Sequence, residues 1–172
     1  MTQPLEKKDK TERFVAYTMQ RCQQDSALAS ALRRADNPNT AYQSWYYLTA
    51  FVDLEQPAQR IPYATIAAAI ARAKATQNGP VTIGRAIARC YEDGSRNDQA
   101  RTKLRRLLAC NQTEEACRIL RPLLSLIDSR AGVRLNYARL LKDLLFFNND
   151  AQQIKARWAK DFYGDFSQED TP

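Results

Sequence analysis

Residues 101–127, RTKLRRLLACNQTEEACRILRPLLSLI, decide the fold, because they carry a helical core pattern and a dense arginine surface in the same stretch. Leu104, Leu107 and Leu108 share one stripe at helical spacing. Ala116, Ile119, Leu120, Leu123, Leu124 and Ile127 then follow the i, i+3, i+4, i+7, i+8, i+11 series. The stretch therefore reads as a basic helical hairpin. On the first helix Arg101 and Arg105 share one flank of the leucine stripe, while Lys103 and Arg106 face away from it. Asn97 or Asp98 caps this helix, and Asn111 with Glu114 three residues on has the form of a capping box for the second. Pro122 removes the hydrogen bond to Arg118, yet the apolar stripe stays in phase on both sides, so the pattern predicts a kink and not an end.

Helices are expected on both sides of the hairpin. Phe14, Val15, Thr18, Met19 and Cys22 make one amphipathic helix from Thr11 to about Gln24, and Ser26 is the expected cap of a second, ALASALRRA, which leaves Arg33 and Arg34 outside. After the turn DNPNT a third helix, capped by Asn37 or Thr40, holds Tyr42, Trp45, Tyr46, Tyr47, Leu48, Phe51 and Val52. Trp45, Leu48 and Val52 fall on one stripe and are expected in the core, with Tyr46 or Tyr47 open to solvent; base stacking and partner docking are the functional readings of the set. A fourth, alanine-rich helix has Pro62 in its first turn and stops at Asn78-Gly79-Pro80. In VTIGRAIARCYEDG, Ile83, Ile87 and Cys90 face in, Arg85 and Arg89 stack outside, and Gly84 marks a tight helix contact. NYARLLKDLLFF, apolar almost all round, is expected to be the most buried helix, and Ile154, Trp158 and Phe162 line up in a last one.

These elements predict an all-α fold, a single compact bundle of about nine helices with a basic face. Residues 1–10 read as a disordered lead, 11–164 as one helical domain and 165–172 as a flexible tail. The chain of 172 residues carries a formal charge of +7, unevenly spread. Between Arg60 and Lys142 sixteen lysines and arginines meet six carboxylates, and thirteen of the sixteen are arginine; the rest of the chain has ten against thirteen. Arginine suits bidentate phosphate contact and stacking better than a general solubilising coat does. The plainer reading is a solvated helical face.

Several chemistries lack their residues. There is no histidine, which removes the commonest general base and the usual nucleophile pairs. Cys22, Cys90, Cys110 and Cys117 show no C-x-x-C spacing and read as reduced core cysteines, so neither a metal nor another cofactor is expected. No phosphate-binding glycine loop is present, and the carboxylate pairs Glu92-Asp93 and Glu114-Glu115 suit helix ends better than acid–base work. The chain reads as a non-enzyme. With a polar N-terminus and no membrane-length apolar run, it is expected in the cytoplasm.

The order of ALRRA (31–35), TIGRAIARCYEDG (82–94), KLRRLLACNQTEEACRILRPLLSLI (103–127), LNYARLLKDLLFF (135–147) and RWAKDFYGDF (157–166) resembles the CasB family, the small subunit of the type I-E CRISPR Cascade complex. The resemblance runs from about Phe14 to Phe166. It implies a non-catalytic helical subunit, present in two copies within an RNA-guided complex and touching its backbone and large subunits. It further implies that the subunit holds target DNA, chiefly the displaced non-target strand, without reading sequence, while guide pairing supplies specificity. Arg33, Arg34 and Arg121 match the family's LRR and L-R-x-L-L segments. Helical geometry adds Arg85, Arg89, Arg101, Arg105, Arg106 and Arg118 as candidate nucleic-acid contacts. Two other readings stand beside this one: a helix-turn-helix regulator of duplex DNA built on Ile83 to Leu108, and a scaffold whose arginines meet acidic proteins.

Overall fold

A computed structural model describes residues 9–167, with side chains through Gly164. Eight α-helices account for most of them: α1 (Lys10–Gln24), α2 (Ser26–Arg33), α3 (Trp45–Leu48), α4 (Pro57–Ala73), α5 (Ile83–Ala88), α6 (Asp98–Leu108), α7 (Thr113–Arg130) and α8 (Tyr137–Ser167). Short 3-10 turns at Ala41–Ser44 and Gly94–Arg96 complete the set. The all-α expectation holds. The one extended pairing among the described residues is a parallel bridge of Val81 with Leu135, to which Val81 contributes an N–H bonded to the Arg134 carbonyl at 3.1 Å.

The expected count of about nine becomes eight because the last two helices run together through a kink at Asp150, whose φ of −126° and ψ of 31° leave the helical region. Helix α1 begins at Lys10, at the edge of the expected disordered lead, and residues 1–8 lie outside the described part. At the other end α8 continues past Gly164 to Ser167; the rest of the expected tail, 168–172, lies outside the described residues.

Helix α4 is the hub. Every residue from Pro62 to Ala71 is buried, and α1, α2, α7 and α8 all pack on it. Alanine at 64, 67, 68, 69 and 71 is what permits this, since a side chain of one carbon lets neighbouring helices approach from several sides. The most buried helix is therefore this one. The first half of α8 buries Leu140, Leu141, Leu144 and Phe147 but leaves Phe146 and Lys142 exposed. Helix α4 also starts earlier than expected, at Pro57, which places Pro62 in its interior, and it stops at Ala73, where Lys74 turns left-handed (φ 52°). Asn78, Gly79 and Pro80 belong to the following loop. Gly79 is needed there, because a Cβ on it would lie 2.0 Å from the Arg134 carbonyl oxygen.

Capping differs from the sequence reading at two places. Asp25, not Ser26, caps α2, its carboxylate accepting from the Leu28 N–H at 3.0 Å. At α7 the cap position is Gln112 and no Asn111–Glu114 box forms. Glu115 instead accepts from the Asn111 N–H (3.2 Å), and Asn148 of α8 accepts from the Thr113 N–H (2.8 Å), so one orphan amide of α7 is satisfied from a distant element. Asn97 does cap α6, accepting from both Gln99 and Ala100. Helix α7 runs unbroken through Pro122.

The aromatic third segment is shorter than its pattern suggests. It comprises the 3-10 turn Ala41–Ser44 and a single helical turn, α3, and Thr40 makes no side-chain cap. The α-helix ends at Leu48 after one turn, too short to set a helical face from Trp45 to Val52, and Trp45 is its first residue. Tyr47 and Leu48 are buried, Tyr47 bonding Thr18 at 2.9 Å, whereas Trp45 and Tyr46 are exposed.

Candidate nucleic-acid interface

The leucine and arginine patterns of α6 separate in large part: Ala100, Leu104 and Leu107 are fully buried, Leu108 and Lys103 are half-buried, and Arg105 and Arg106 stand exposed. Arg101 is different: half-buried, it donates from Nε to the Ser95 carbonyl at 2.8 Å and fastens α6 to the turn before it. On α7 Ala116, Leu120, Leu123, Leu124 and Ile127 are buried, Ile119 is half-buried, and Arg118 and Arg121 are exposed one helical turn apart.

An acidic side chain draws three elements together beside α7. Asp36, in the loop after α2, has only 3% of its side chain exposed and lies 2.8 Å from Arg72 Nη1 of α4 and 3.5 Å from Arg121 Nε. Arg72 Nη1 also donates to the Arg33 carbonyl (3.4 Å), which holds the exposed pair Arg33 and Arg34 near the same place. The candidate residues thus occupy three positions. Arg33, Arg34, Arg118 and Arg121 lie near Asp36, Arg101, Arg105 and Arg106 lie on α6, and of the pair expected outside α5 only Arg89, at its end, is exposed, Arg85 being half-buried. Helix α5 is pressed on α8 through Gly84, the tight contact that its sequence suggests.

Two residues of this region escape the sequence reading, and a third, Trp45, is assigned by it to the core. Arg72 and Arg60 sit near the two ends of α4, where nothing in the alanine-rich pattern marks them out. Arg60 places its guanidinium 5.4 Å from the centre of the Trp45 ring and donates from Nη1 to the Leu54 carbonyl. An aromatic next to a turn-rich segment is the one signal available for Trp45.

Burial raises all four thiols above their ordinary range, and Cys117 is pushed up to about 12 although the Thr65 hydroxyl pulls the other way. Cys22 departs from the core assignment, being only half-buried. Among the described residues no group of three or more Cys, Asp or Glu is placed to hold a metal ion, and no helix is long and apolar enough to cross a membrane.

The model of the CRISPR-associated protein Cse2 family matches residues 27–163, most of the chain. The chain belongs to the Cse2 family. Solved structures agree on the fold. The Cse2-family chain superposes on CasB of M. ruber with a TM-score of 0.75 at 23% identity, covering 95% of this chain and 97% of that one. A Cse2-family CRISPR-associated protein of Thermus thermophilus gives 0.71 at 24%, with 90% and 97% covered. A chain from a structure described as a CRISPR RNA-guided surveillance complex gives 0.74 at 16%, with 94% and 98% covered. No curated protein matches the chain.

Proposed function

We propose that this Cse2-family chain is a non-catalytic small subunit of a type I-E Cascade complex, acting in antiviral defence by stabilising the complex and the opened target DNA. The observation that carries the reading is the exposure of Arg33, Arg34, Arg105, Arg106, Arg118 and Arg121 on a chain of this family, outside a predominantly apolar core. Their chemistry suits phosphate. Guanidinium groups on helical surfaces grip a nucleic-acid backbone without reading base edges, which is the task left to a subunit when guide pairing supplies specificity. The displaced non-target strand is the partner proposed, with Cascade backbone and large subunits and a second copy of the chain as protein neighbours. The fold of the surveillance-complex chain supports membership in such an assembly.

The regulator alternative loses its support on geometry. Nine residues, including a 3-10 turn, separate α5 from α6, where a helix-turn-helix uses three or four.

The deciding experiment measures target-DNA binding by guide-loaded Cascade assembled with and without this protein, and reads the displaced strand by single-strand-specific chemical reactivity. Tighter binding with protection of that strand is expected. Tighter binding without protection reduces the protein to a scaffold, and no effect of either kind removes the reading altogether.

A further inference from the structure

A cavity of about 310 Å³ opens between the loop after α2, the segment of α3, the first turns of α4 and the N-terminal half of α7. Its lining includes the small or apolar residues Ala35, Ala41, Ile61 and Ala64, with Thr65 and Cys117 beside them. Its walls carry Trp45, Arg60, Arg118 and Arg121, with Glu114 the carboxylate nearest the opening of α7. At about 30 Å³ per water the space equals roughly ten waters, room for one flat ring system and little else.

The indole is the unusual part. Trp45 remains 36% exposed in a chain that buries its other tryptophan to 1%, and it does so at the wall of this cavity. The Arg60 guanidinium lies 5.4 Å from the ring centre and is itself held by the Leu54 carbonyl, so this side of the ring is occupied before any ligand arrives. Across the cavity Arg118 and Arg121 stand one turn apart, and Asp36 braces Arg121 from beneath. An apolar slot with an aromatic wall and an arginine rim fits a flat uncharged ring joined to anions on either side.

We propose that this cavity takes one unstacked base of a single-stranded nucleic acid, stacked on Trp45, with the flanking phosphates on Arg118 and Arg121. The proposal rests on the reading that the chain binds nucleic-acid backbone, and it adds a base-sized anchor to that surface. Base–aromatic stacking tolerates any base because each has a π-face. The polar groups of the slot agree with tolerance. The Thr65 hydroxyl donates to the Ile61 carbonyl at 2.8 Å and the Asp36 oxygens face arginines, so neither is set to read a base edge. An acidic peptide bearing an aromatic side chain is the competing class of occupant. The exposed indole in the cavity wall and the all-arginine cationic rim favour the base.

The test compares two fluorescent probes on the full chain at fixed low salt: oligothymidylate, and an abasic deoxyribose-phosphate strand of equal length. Trp45→Ala is expected to weaken oligothymidylate binding about tenfold and leave the abasic strand unaffected, with Trp45→Phe restoring most of the loss. Arg118→Glu should weaken both probes. Equal binding of the two probes by the wild type, or wild-type affinity for oligothymidylate in a folded Trp45→Ala protein, overturns the base slot and leaves the arginine surface standing. Failure of the wild type to bind either probe overturns the underlying reading as well. Unchanged oligonucleotide binding by Trp45→Ala together with weakened assembly into Cascade assigns the slot to a protein partner and ends the proposal.

Discussion

Gly84 of α5 meets the backbone of α8 so closely that a Cβ on it would lie 2.1 Å from the Trp158 carbonyl oxygen and 2.9 Å from the Phe162 nitrogen. Both obstacles are backbone, which cannot rotate aside as a side chain would. Gly84→Ala should therefore destabilise the protein by about 3 kcal/mol, the upper end of the usual range for overpacking. Urea denaturation reads the effect. A loss below about 1 kcal/mol would show that α5 slides on α8 at little cost.

Within α8 itself a buried carboxylate joins the two sides of the kink at Asp150. Asp143 accepts from the Trp158 indole N–H at 2.9 Å and from Arg157 Nη2 at 2.8 Å, with Arg139 Nε at 3.3 Å. Burial nonetheless raises its carboxyl above the ordinary value of 3.8, against the pull of Trp158, Arg157 and Arg139. A carboxyl with a raised folded pKa binds more protons folded than unfolded, so its contribution to stability improves as pH falls through the folded pKa towards 3.8. Asp143→Asn has no such titration. The difference in unfolding free energy between wild type and Asp143→Asn should accordingly move in favour of the wild type as pH is lowered from about 7 towards about 4. Movement the other way would mean that the arginines outweigh burial.

Thiol reactivity should follow burial. Cys22 is half-buried, while Cys117 is 3% exposed and its thiol is pushed up to about 12. In native protein at about pH 8, iodoacetamide should modify Cys22 first and Cys117 last, as followed by mass spectrometry of peptides. Early labelling of Cys117 would reveal that α7 opens from α4 in the native state.

Arginine replacements on α6 should split into two kinds. Arg105→Glu and Arg106→Glu alter exposed positions and should leave stability within about 0.5 kcal/mol of the wild type, while lowering affinity for single-stranded DNA and reducing the salt slope by about one for each phosphate no longer held. Arg101→Glu removes the bond to Ser95 and should lower stability as well. Uniform loss of DNA binding with a uniform loss of stability across all three would mean that folding alone is being read.

Removing Asp36 should loosen a junction. With Asp36→Ala the guanidiniums of Arg72 and Arg121 lose the carboxylate they share, and breaking such a pair inside a protein costs about 3–5 kcal/mol. Both arginines reach solvent, so the expected loss is about 1–3 kcal/mol once screening is allowed for. A neutral result in guanidinium chloride denaturation would make Asp36 dispensable to the fold.

Most of this architecture is legible without coordinates, because helical periodicity is a local property. The stripes of α6 and α7 and the cap at Asn97 lie within a few turns of chain, and the structure bears them out except that Leu108 and Ile119 are half-buried. Errors cluster where local rules compete. Pro62 suits a helix start because proline favours the first turn, but Pro57 fills that role and α4 continues through the second proline. Extending an α-helical stripe from Trp45 to Val52, where the helix lasts only to Leu48, misplaces Trp45.

The amino-acid sequence determined that the chain is all-helical, that its leucine stripes are buried and that its central part is rich in arginine, since each follows from residue type and spacing. Which helix became the hub, and which arginines meet, were decided by tertiary packing alone. Ten consecutive residues of α4 are buried because five other helices pack against it, a fact no periodicity within α4 encodes. Asp36, Arg72 and Arg121 meet across long stretches of chain for the same reason. Their approach depends on how α2, α4 and α7 are stacked, and only the assembled core fixes that.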